Sequence, residues 1–328
     1  MKTNQEFKLT LITLVTFLIL TSLFTNCQSD DLIINEMETK NNNSIKTLNK
    51  SSNQIGDRYY NSGSSTSLNN SNWMSQLPDS KRISEISIPG THDTAALYGG
   101  HLSQCQSMSI EEQLKAGIRF FDIRCGLIDN VFYIYHGIFY QGINFGDVLN
   151  KVRKFLSDNP TETVFMRVKQ ENSKASDQDF KNVFDNYISK HGRSNFYAPK
   201  ASTGCNYPRN LGKIRGKIAI IENVSGLDGI PWNCLKIQDD YHVPTIFARW
   251  SKYLKVQKHL EDSDKDKIYL YLNFSSGTSA LAYPYTVASH VNYYLLDYLK
   301  TNNKIKTGIV AMDFPGDDLI QSIINRNF

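Results

Sequence analysis

The sequence predicts a single-domain α/β protein, an irregular or incompletely closed (β/α) TIM-like barrel. From about residue 72 onward, short apolar segments alternate with amphipathic ones, which is typical of β–α crossover units in a parallel sheet. Some strands are apolar at consecutive positions, as in 218–221, which indicates burial on both faces. Seven or eight such strands in one unit of about 255 residues favour a closed or nearly closed barrel.

Strands are predicted, in chain order, at 85–88, 118–123, 131–135, 163–168, 217–222, 235–238, 268–273 and 308–312. Helices are predicted between them. Ser109 followed by Glu112 is typical of a capped helix start. Residues 144–157 place their apolar side chains on one helical face, and segments 177–190 and 287–300 have the same periodicity.

Composition limits the class of partner. The chain has 328 residues, 40% of them hydrophobic, with a formal net charge of only +4 and no basic run with interleaved aromatics. A nucleic-acid partner is therefore not expected, since such proteins carry a clustered basic surface. We expect a monomer.

The N-terminus is typical of a signal peptide over residues 1–26. Lys2 and Lys8 precede an uncharged apolar run that ends at Cys27. Cys27 is placed as the acceptor of a lipoprotein-type site, although Asn26 departs from the strict pattern. Plain secretion and a retained membrane anchor stay open. We therefore expect an exported protein, either a bacterial surface or outer-membrane lipoprotein or a secreted protein.

Residues 27–71 are rich in Asn and Ser and poor in large apolar groups, which predicts a disordered tether. The barrel is then expected over residues 72–328. In an exported domain four further cysteines suit two disulfides, but the sequence does not choose the pairing, and free buried thiols are an equal alternative. These cysteines are Cys105, Cys125, Cys205 and Cys234.

Reactive side chains follow the predicted strands. In a parallel barrel the carboxyl ends of the strands meet at one rim, so residues far apart in sequence are expected to face one pocket. Two imidazoles can accept and donate a proton near neutral pH, and a guanidinium fits a phosphate. This set predicts phosphodiester cleavage without a metal. The strand-end residues are His92, Arg124, His136, Lys169, Asp239 and Asp313.

Three segments together resemble the bacterial phosphatidylinositol-specific phospholipase C family, of the calcium-independent type. They are Ile88-Pro89-Gly90-Thr91-His92-Asp93, Gly117-Ile118-Arg119-Phe120-Phe121-Asp122-Ile123-Arg124 and Tyr135-His136-Gly137. Further matching segments follow in the same order, at 159–163, 238–241, 272–275 and 308–313, so the resemblance covers about residues 73–328. It implies an irregular (β/α) barrel, in agreement with the strand count.

The resemblance also implies a mechanism. The inositol 2-hydroxyl attacks the phosphorus and expels diacylglycerol, leaving inositol 1,2-cyclic phosphate. His92 would be the general base and His136 the general acid, with Arg124 on the nonbridging phosphate oxygens. Asp313 is expected to orient His92, and Asp93 to lie near His136. Two roles stay open for Asp122: it either supports a strand end or the arginine, or it takes part in catalysis.

Family-like positions for inositol binding are occupied by Lys169, Glu171, Asp239 and Tyr241. Asn223 is a departure, because many relatives place a basic residue there. No cofactor and no metal are expected, since Arg124 stands where calcium-dependent relatives carry acidic ligands. The expected partner is an inositol phospholipid or glycosyl-inositol lipid at a membrane, contacted by loop aromatics among Phe139, Tyr140, Trp232, Tyr283 and Tyr285.

Two other functions are compatible with parts of the pattern. A glycerophosphodiesterase-like barrel would need a metal and a cluster of acidic ligands around its first histidine, which His92-Asp93-Thr94 does not supply. A surface lipoprotein that only binds inositol headgroups would need neither an acid nor a base.

Overall fold

The computed structural model describes residues 58–207 and 209–328. The predicted signal peptide, Cys27 and the tether up to residue 57 lie outside the described residues, so those expectations stay predictions. No helix in the described part is long and apolar enough to cross a membrane.

One sheet of eleven strands forms the centre of the described chain. Its main path runs β6-β7-β5-β2-β1-β11-β10-β9, and every pair along that path is parallel. The strands are β1 Ile88–Thr91, β2 Phe120–Ile128, β3 Val131–His136, β4 Phe139–Asn144, β5 Val164–Gln170, β6 Phe196–Tyr197, β7 Ile218–Glu222, β8 Ile230–Pro231, β9 Lys236–Gln238, β10 Tyr271–Phe274 and β11 Ile309–Met312.

Helices connect these strands. Ser109 caps the first by accepting from the amide of Glu112, as its sequence pattern predicts. A reciprocal capping box between Asn144 and Asp147 starts the second. The helices are α1 Ile110–Ala116, α2 Phe145–Asp158, α3 Asp177–Lys190, α4 Arg249–Lys265, α5 Pro284–Thr301 and α6 Asp317–Ile324.

The curled parallel sheet confirms the prediction of an irregular, incompletely closed barrel. Its path ends at β9 on one side and at β6 and β8 on the other, and no strand pairing joins those ends within the described residues. The central strands β1, β5, β7 and β11 are buried along most of their length, as the consecutive apolar residues 218–221 predict for β7.

The segment around β3 differs from the expected parallel barrel. β2, β3 and β4 form an antiparallel meander, with Cys125 opposite Ile134. His136 is therefore not at the carboxyl end of a barrel strand, as the sequence suggested. It reaches the rim because β3 runs back along β2 and returns it beside Arg124. A two-residue turn, Asp129-Asn130, in which both residues have positive φ, makes this reversal possible.

The predicted boundary between tether and barrel at residue 71 is wrong. Residues 58–71 already belong to the folded domain. Asp317 accepts hydrogen bonds from the Thr66 hydroxyl at 2.6 Å and the Ser67 amide at 2.9 Å. The amide of Asn61 donates to the carbonyl of Phe314 at 3.0 Å. The composition of residues 58–71 did not predict that they are folded. The segment packs mainly through backbone and small polar groups, and the prediction considered only large apolar residues.

Of the two disulfides that four cysteines suit, the structure contains one, between Cys205 and Cys234. Cys105 and Cys125 are buried free thiols. The sequence left disulfides and free buried thiols as equal alternatives, and the structure contains one pair of cysteines of each kind.

Candidate active site

Two neighbouring parallel strands bring the first pair of functional side chains together. Thr91 at the end of β1 pairs with Met312 at the end of β11, so that His92 and Asp313 emerge side by side. His92 Nδ1 lies 2.8 Å from Asp313 Oδ1, and the Asp313 side chain is only 1% exposed. A carboxylate accepts, so this contact assigns the ring proton to Nδ1 and leaves Nε2 of His92 with its lone pair.

Arg124 on β2 occupies the centre of the site. Its Nη2 lies 2.6 Å from His92 Nε2 and donates to Asp122 Oδ2 at 3.2 Å. Its Nη1 lies 3.4 Å from an oxygen of Asp93 and 3.4 Å from an oxygen of Glu171. Asp122 is thereby assigned a supporting contact to the arginine, one of the two roles that the sequence left open.

Burial and charge set the protonation states around Arg124. Burial lowers the pKa of His92 well below its ordinary value, and the adjacent Arg124 charge lowers it further. Burial also disfavours the charge on Arg124, but Asp93, Asp122 and Glu171 outweigh it and raise the pKa of Arg124 well above its ordinary value. Burial and the nearby Asp93 charge raise the pKa of Asp313, which makes it a stronger acceptor for the Nδ1 proton. His92 is therefore a neutral ring whose Nε2 can accept a proton.

His136 stands across the site from His92, with 6.3 Å between the ring centres. Its Nδ1 lies 2.5 Å from the carbonyl oxygen of Ser103 and 3.5 Å from Asp93 Oδ2. A carbonyl only accepts, so Nδ1 of His136 carries a proton and Nε2 is left for a substrate. The structure thus pairs Asp313 with His92 and Asp93 with His136, as the resemblance implies.

Asp93 is an unusual carboxylate. It is fully buried, neither of its oxygens has a hydrogen-bond partner among the described residues, and its φ is +41°. Burial raises the pKa of Asp93 to about 6, against the lowering effect of Arg124 and His136. A carboxyl group whose pKa lies near neutral pH, next to an imidazole, is typical of a site that transfers protons.

The predicted inositol-binding residues lie around one pocket of about 260 Å³ that also contains His92, Arg124, His136 and Asp313. Lys169 and Asp239 line it, and so does Tyr241, whose side chain is 61% exposed. Glu171 lies behind them, because it accepts from Lys169 at 3.1 Å and from the Gly137 amide at 2.8 Å. The loop 276–278, which the sequence analysis missed, forms the opposite wall.

Sequence reasoning also missed Arg167, a buried arginine on β5 whose Nη1 donates to Asp122. The signal was present, since Arg167 precedes Lys169 by two residues and therefore shares its face of the strand. Trp232, one of the loop aromatics expected near the membrane, is partly buried, and its ring centre lies 4.2 Å from the Arg167 guanidinium carbon.

Comparisons with known proteins agree with this geometry. Residues 80–223 match the model of the phosphatidylinositol-specific phospholipase C X domain. The chain is 31% identical to 1-phosphatidylinositol phosphodiesterase of Listeria monocytogenes, over 80% of this chain and 86% of that protein. It is 30% identical to the enzyme of the same name from Staphylococcus aureus, over 82% of this chain and 98% of that protein.

The chain belongs to the phosphatidylinositol-specific phospholipase C family.

A solved structure supports the same assignment. Phosphatidylinositol-specific phospholipase C from Listeria monocytogenes superimposes with a TM-score of 0.71 at 31% identity, covering 80% of this chain and all of that one. Membership in this family and the fold were both predicted from the motifs around His92, Arg124 and His136. The comparisons do not assign roles to individual residues, which follow from the contacts described above.

The electrostatics of His92 can be tested by NMR titration of its imidazole. We expect His92 to titrate below the ordinary histidine pKa of about 6.5, because burial and Arg124 oppose its charged form. In Arg124→Gln its pKa should rise, since one of these two causes is removed. His191, whose lowered pKa arises from burial, Arg153 and Lys190, should titrate as in the wild type. An unchanged His92 titration in Arg124→Gln would contradict the proposed coupling.

Proposed function

We propose that this protein is a metal-independent phosphatidylinositol-specific phospholipase C that cleaves its lipid by attack of the inositol 2-hydroxyl on phosphorus. The products are diacylglycerol and inositol 1,2-cyclic phosphate. The observation that carries the proposal is the placement of two imidazoles, with ring centres 6.3 Å apart and each held at Nδ1 by an oxygen acceptor, beside one guanidinium.

The general base in this proposal is His92. Its Nε2 lone pair is available, its Nδ1 proton is held by Asp313 at 2.8 Å, and its low pKa keeps it neutral at physiological pH. After it takes the 2-hydroxyl proton, the imidazolium is stabilised by the Asp313 carboxylate, as in other histidine–carboxylate pairs.

Arg124 binds the phosphate. In the free enzyme Arg124 Nη2 donates a hydrogen bond to the Nε2 lone pair of His92, with 2.6 Å between the two nitrogens. When a phosphodiester enters, the nonbridging oxygens offer the guanidinium a stronger, charged acceptor, and the base is released. Substrate binding and activation of the base are therefore one event. The same guanidinium then stabilises the charge that accumulates on the phosphoryl oxygens.

The leaving group receives its proton from His136. A protonated His136 donates through Nδ1 to the Ser103 carbonyl and is stabilised by Asp93, which leaves the Nε2 proton for the diacylglycerol oxygen. Because the pKa of Asp93 is about 6, this carboxyl group can share the transferred proton with the ring. Lys169 and Asp239 face the same pocket and are placed to bind the remaining inositol hydroxyls.

A headgroup-binding protein without catalysis is the weaker alternative. Binding needs neither a fully buried carboxyl group with a raised pKa nor a neutral imidazole held by a second buried carboxylate. These groups are costly to bury and serve proton transfer.

We propose in addition that the enzyme is exported and held at the bacterial surface by lipidation of Cys27. Support comes from the apolar segment before Cys27 and from the Cys205–Cys234 disulfide, which suits an oxidising compartment. Cell fractionation of a Cys27→Ser variant tests this, since loss of the lipid should release the enzyme from the membrane fraction.

The two imidazoles can be distinguished by the leaving group of the substrate. His92→Ala and His136→Ala should each lower kcat/KM on phosphatidylinositol by about 10²–10⁴-fold, the usual contribution of proton transfer. An inositol phosphate ester of an acidic phenol needs no general acid. His136→Ala should therefore recover most of its activity on that substrate, and His92→Ala should not. The matched control is His191→Ala, outside the site. Equal losses on both substrates would contradict the assignment.

Metal independence is tested by phosphorus NMR of the products with EDTA and with added calcium. The signal of inositol 1,2-cyclic phosphate should appear at the same rate in both samples, because the Arg124 cation already contacts Asp93 and Glu171, the carboxylates beside which a calcium ion would have to bind. Turnover that requires calcium, or a product that is never cyclic, would be incompatible with the proposal.

A further inference from the structure

Arg167 is a buried charge that the mechanism above does not use. Its side chain is 5% exposed. It leaves β5 on the same face as Lys169, toward the interior of the barrel. A guanidinium removed from water costs several kcal/mol unless its donors are satisfied, so its partners indicate why it is there.

Polar and aromatic groups surround this guanidinium, among them the Phe274 ring at 5.2 Å. Nε and Nη2 donate to the amide oxygen of Asn223 at 2.9 and 2.7 Å. Nη1 donates to Asp122 Oδ1 at 3.2 Å, and Nη2 lies 3.9 Å from Asp239 Oδ2. The guanidinium carbon also lies 4.2 Å from the centre of the Trp232 ring. The site therefore uses the forked geometry of the guanidinium as well as its charge, because two of its nitrogens donate to the same oxygen of Asn223.

Asp122 joins this arginine to the phosphate-binding one. Its Oδ1 accepts from Arg167 and its Oδ2 from Arg124. Burial would raise the pKa of Asp122, but the Arg167 and Arg124 charges outweigh it and hold that pKa well below its usual range. Asp122 is therefore a permanent anion that fixes the relative position of two cations.

We propose that Arg167 is a positioning residue that aligns Asp239, on the wall of the pocket, and the nearby amide of Asn223 with the phosphate-binding Arg124. This inference rests on the proposed function. With its oxygen held by Arg167, the amide NH₂ of Asn223 is the group that can donate to a substrate hydroxyl, while Asp239 can accept from one. Arg167 sets how far these two groups lie from the phosphate, which selects a cyclic polyol that carries its phosphate on the ring.

Asn223, which stands where many relatives carry a basic residue, has a defined partner in this protein. In the register of β5 and β7, Arg167 is opposite Ile221, and Asn223 follows two residues later on the same face. The cation expected at 223 is supplied from the neighbouring strand, and Asn223 becomes its acceptor.

The test compares Arg167→Lys with Arg119→Lys. Arg119 is also a fully buried arginine, bonded to Glu162 at 2.9 Å, but it lies just before β2, away from the pocket. Both variants keep the charge and lose the fork, so both should lose thermal stability. Binding of myo-inositol 1-phosphate, measured by calorimetry, and kcat/KM on a soluble short-chain phosphatidylinositol are then determined for each.

We expect Arg167→Lys to weaken myo-inositol 1-phosphate binding and to lower kcat/KM by about tenfold or more, since small misplacements of a site cost that much. Arg119→Lys should leave both within about twofold of the wild type. In an Arg124→Lys background the effect of Arg167→Lys should shrink, because the two residues act through Asp122. Equal effects of Arg167→Lys and Arg119→Lys, or full additivity with Arg124→Lys, would overturn the inference.

Failure of the proposed function gives a different result. A wild-type protein that binds myo-inositol 1-phosphate but does not cleave phosphatidylinositol would refute the enzyme assignment, while the binding comparison would still decide the role of Arg167. A wild-type protein that does not bind this ligand would refute both.

Discussion

The buried guanidinium of Arg124 is the interaction on which the whole site depends. It contacts the base His92 and the carboxylates of Asp93, Asp122 and Glu171, and its side chain is only 11% exposed. Without that cation, Asp122 would keep Arg167 and Glu171 would keep Lys169, but the fully buried Asp93 would lose its arginine partner, and an uncompensated buried charge costs several kcal/mol. Burial and, after it, the Arg124 charge lower the pKa of His92 and keep its ring neutral, and the same guanidinium offers the phosphate its binding partner. Stability and chemistry of the site are therefore both set by one side chain.

The sheet explains why this arrangement is rigid. β11, β1 and β2 are adjacent parallel strands, and they present Asp313, His92 and Arg124 in a row. The closeness of β1 and β2 requires Gly90, where a Cβ atom would lie 2.7 Å from the Cβ of Phe120. The hairpin of β3 then returns His136 to the opposite side of the pocket. Acid and base are carried by different parts of the fold, which holds them apart at a fixed distance.

Much of this could be predicted from the sequence because strand ends carry their own signals. His92, Asp239 and Asp313 directly follow the short strands β1, β9 and β11, and a parallel sheet brings such positions to one rim. The spacing of Arg167 from Lys169 indicates its face of the strand, but not its burial, because a charged residue inside a strand usually faces solvent. Its burial depends on partners supplied by β2, β7 and the loops near Asp239 and Trp232. The ordered segment before residue 72 was hidden for a related reason, since its contacts are made by backbone amides and small hydroxyls.

The central claim is that a bound phosphate takes Arg124 away from His92 and leaves His92 Nε2 to the 2-hydroxyl. A crystal structure of the complex with myo-inositol 1-phosphate tests this most directly. We expect the nonbridging phosphate oxygens to lie within hydrogen-bond distance of the Arg124 guanidinium. The 2-hydroxyl oxygen should then lie within about 3.2 Å of His92 Nε2. A phosphate bound away from Arg124, or a 2-hydroxyl that faces His136 with His92 still bonded to Arg124, would contradict it.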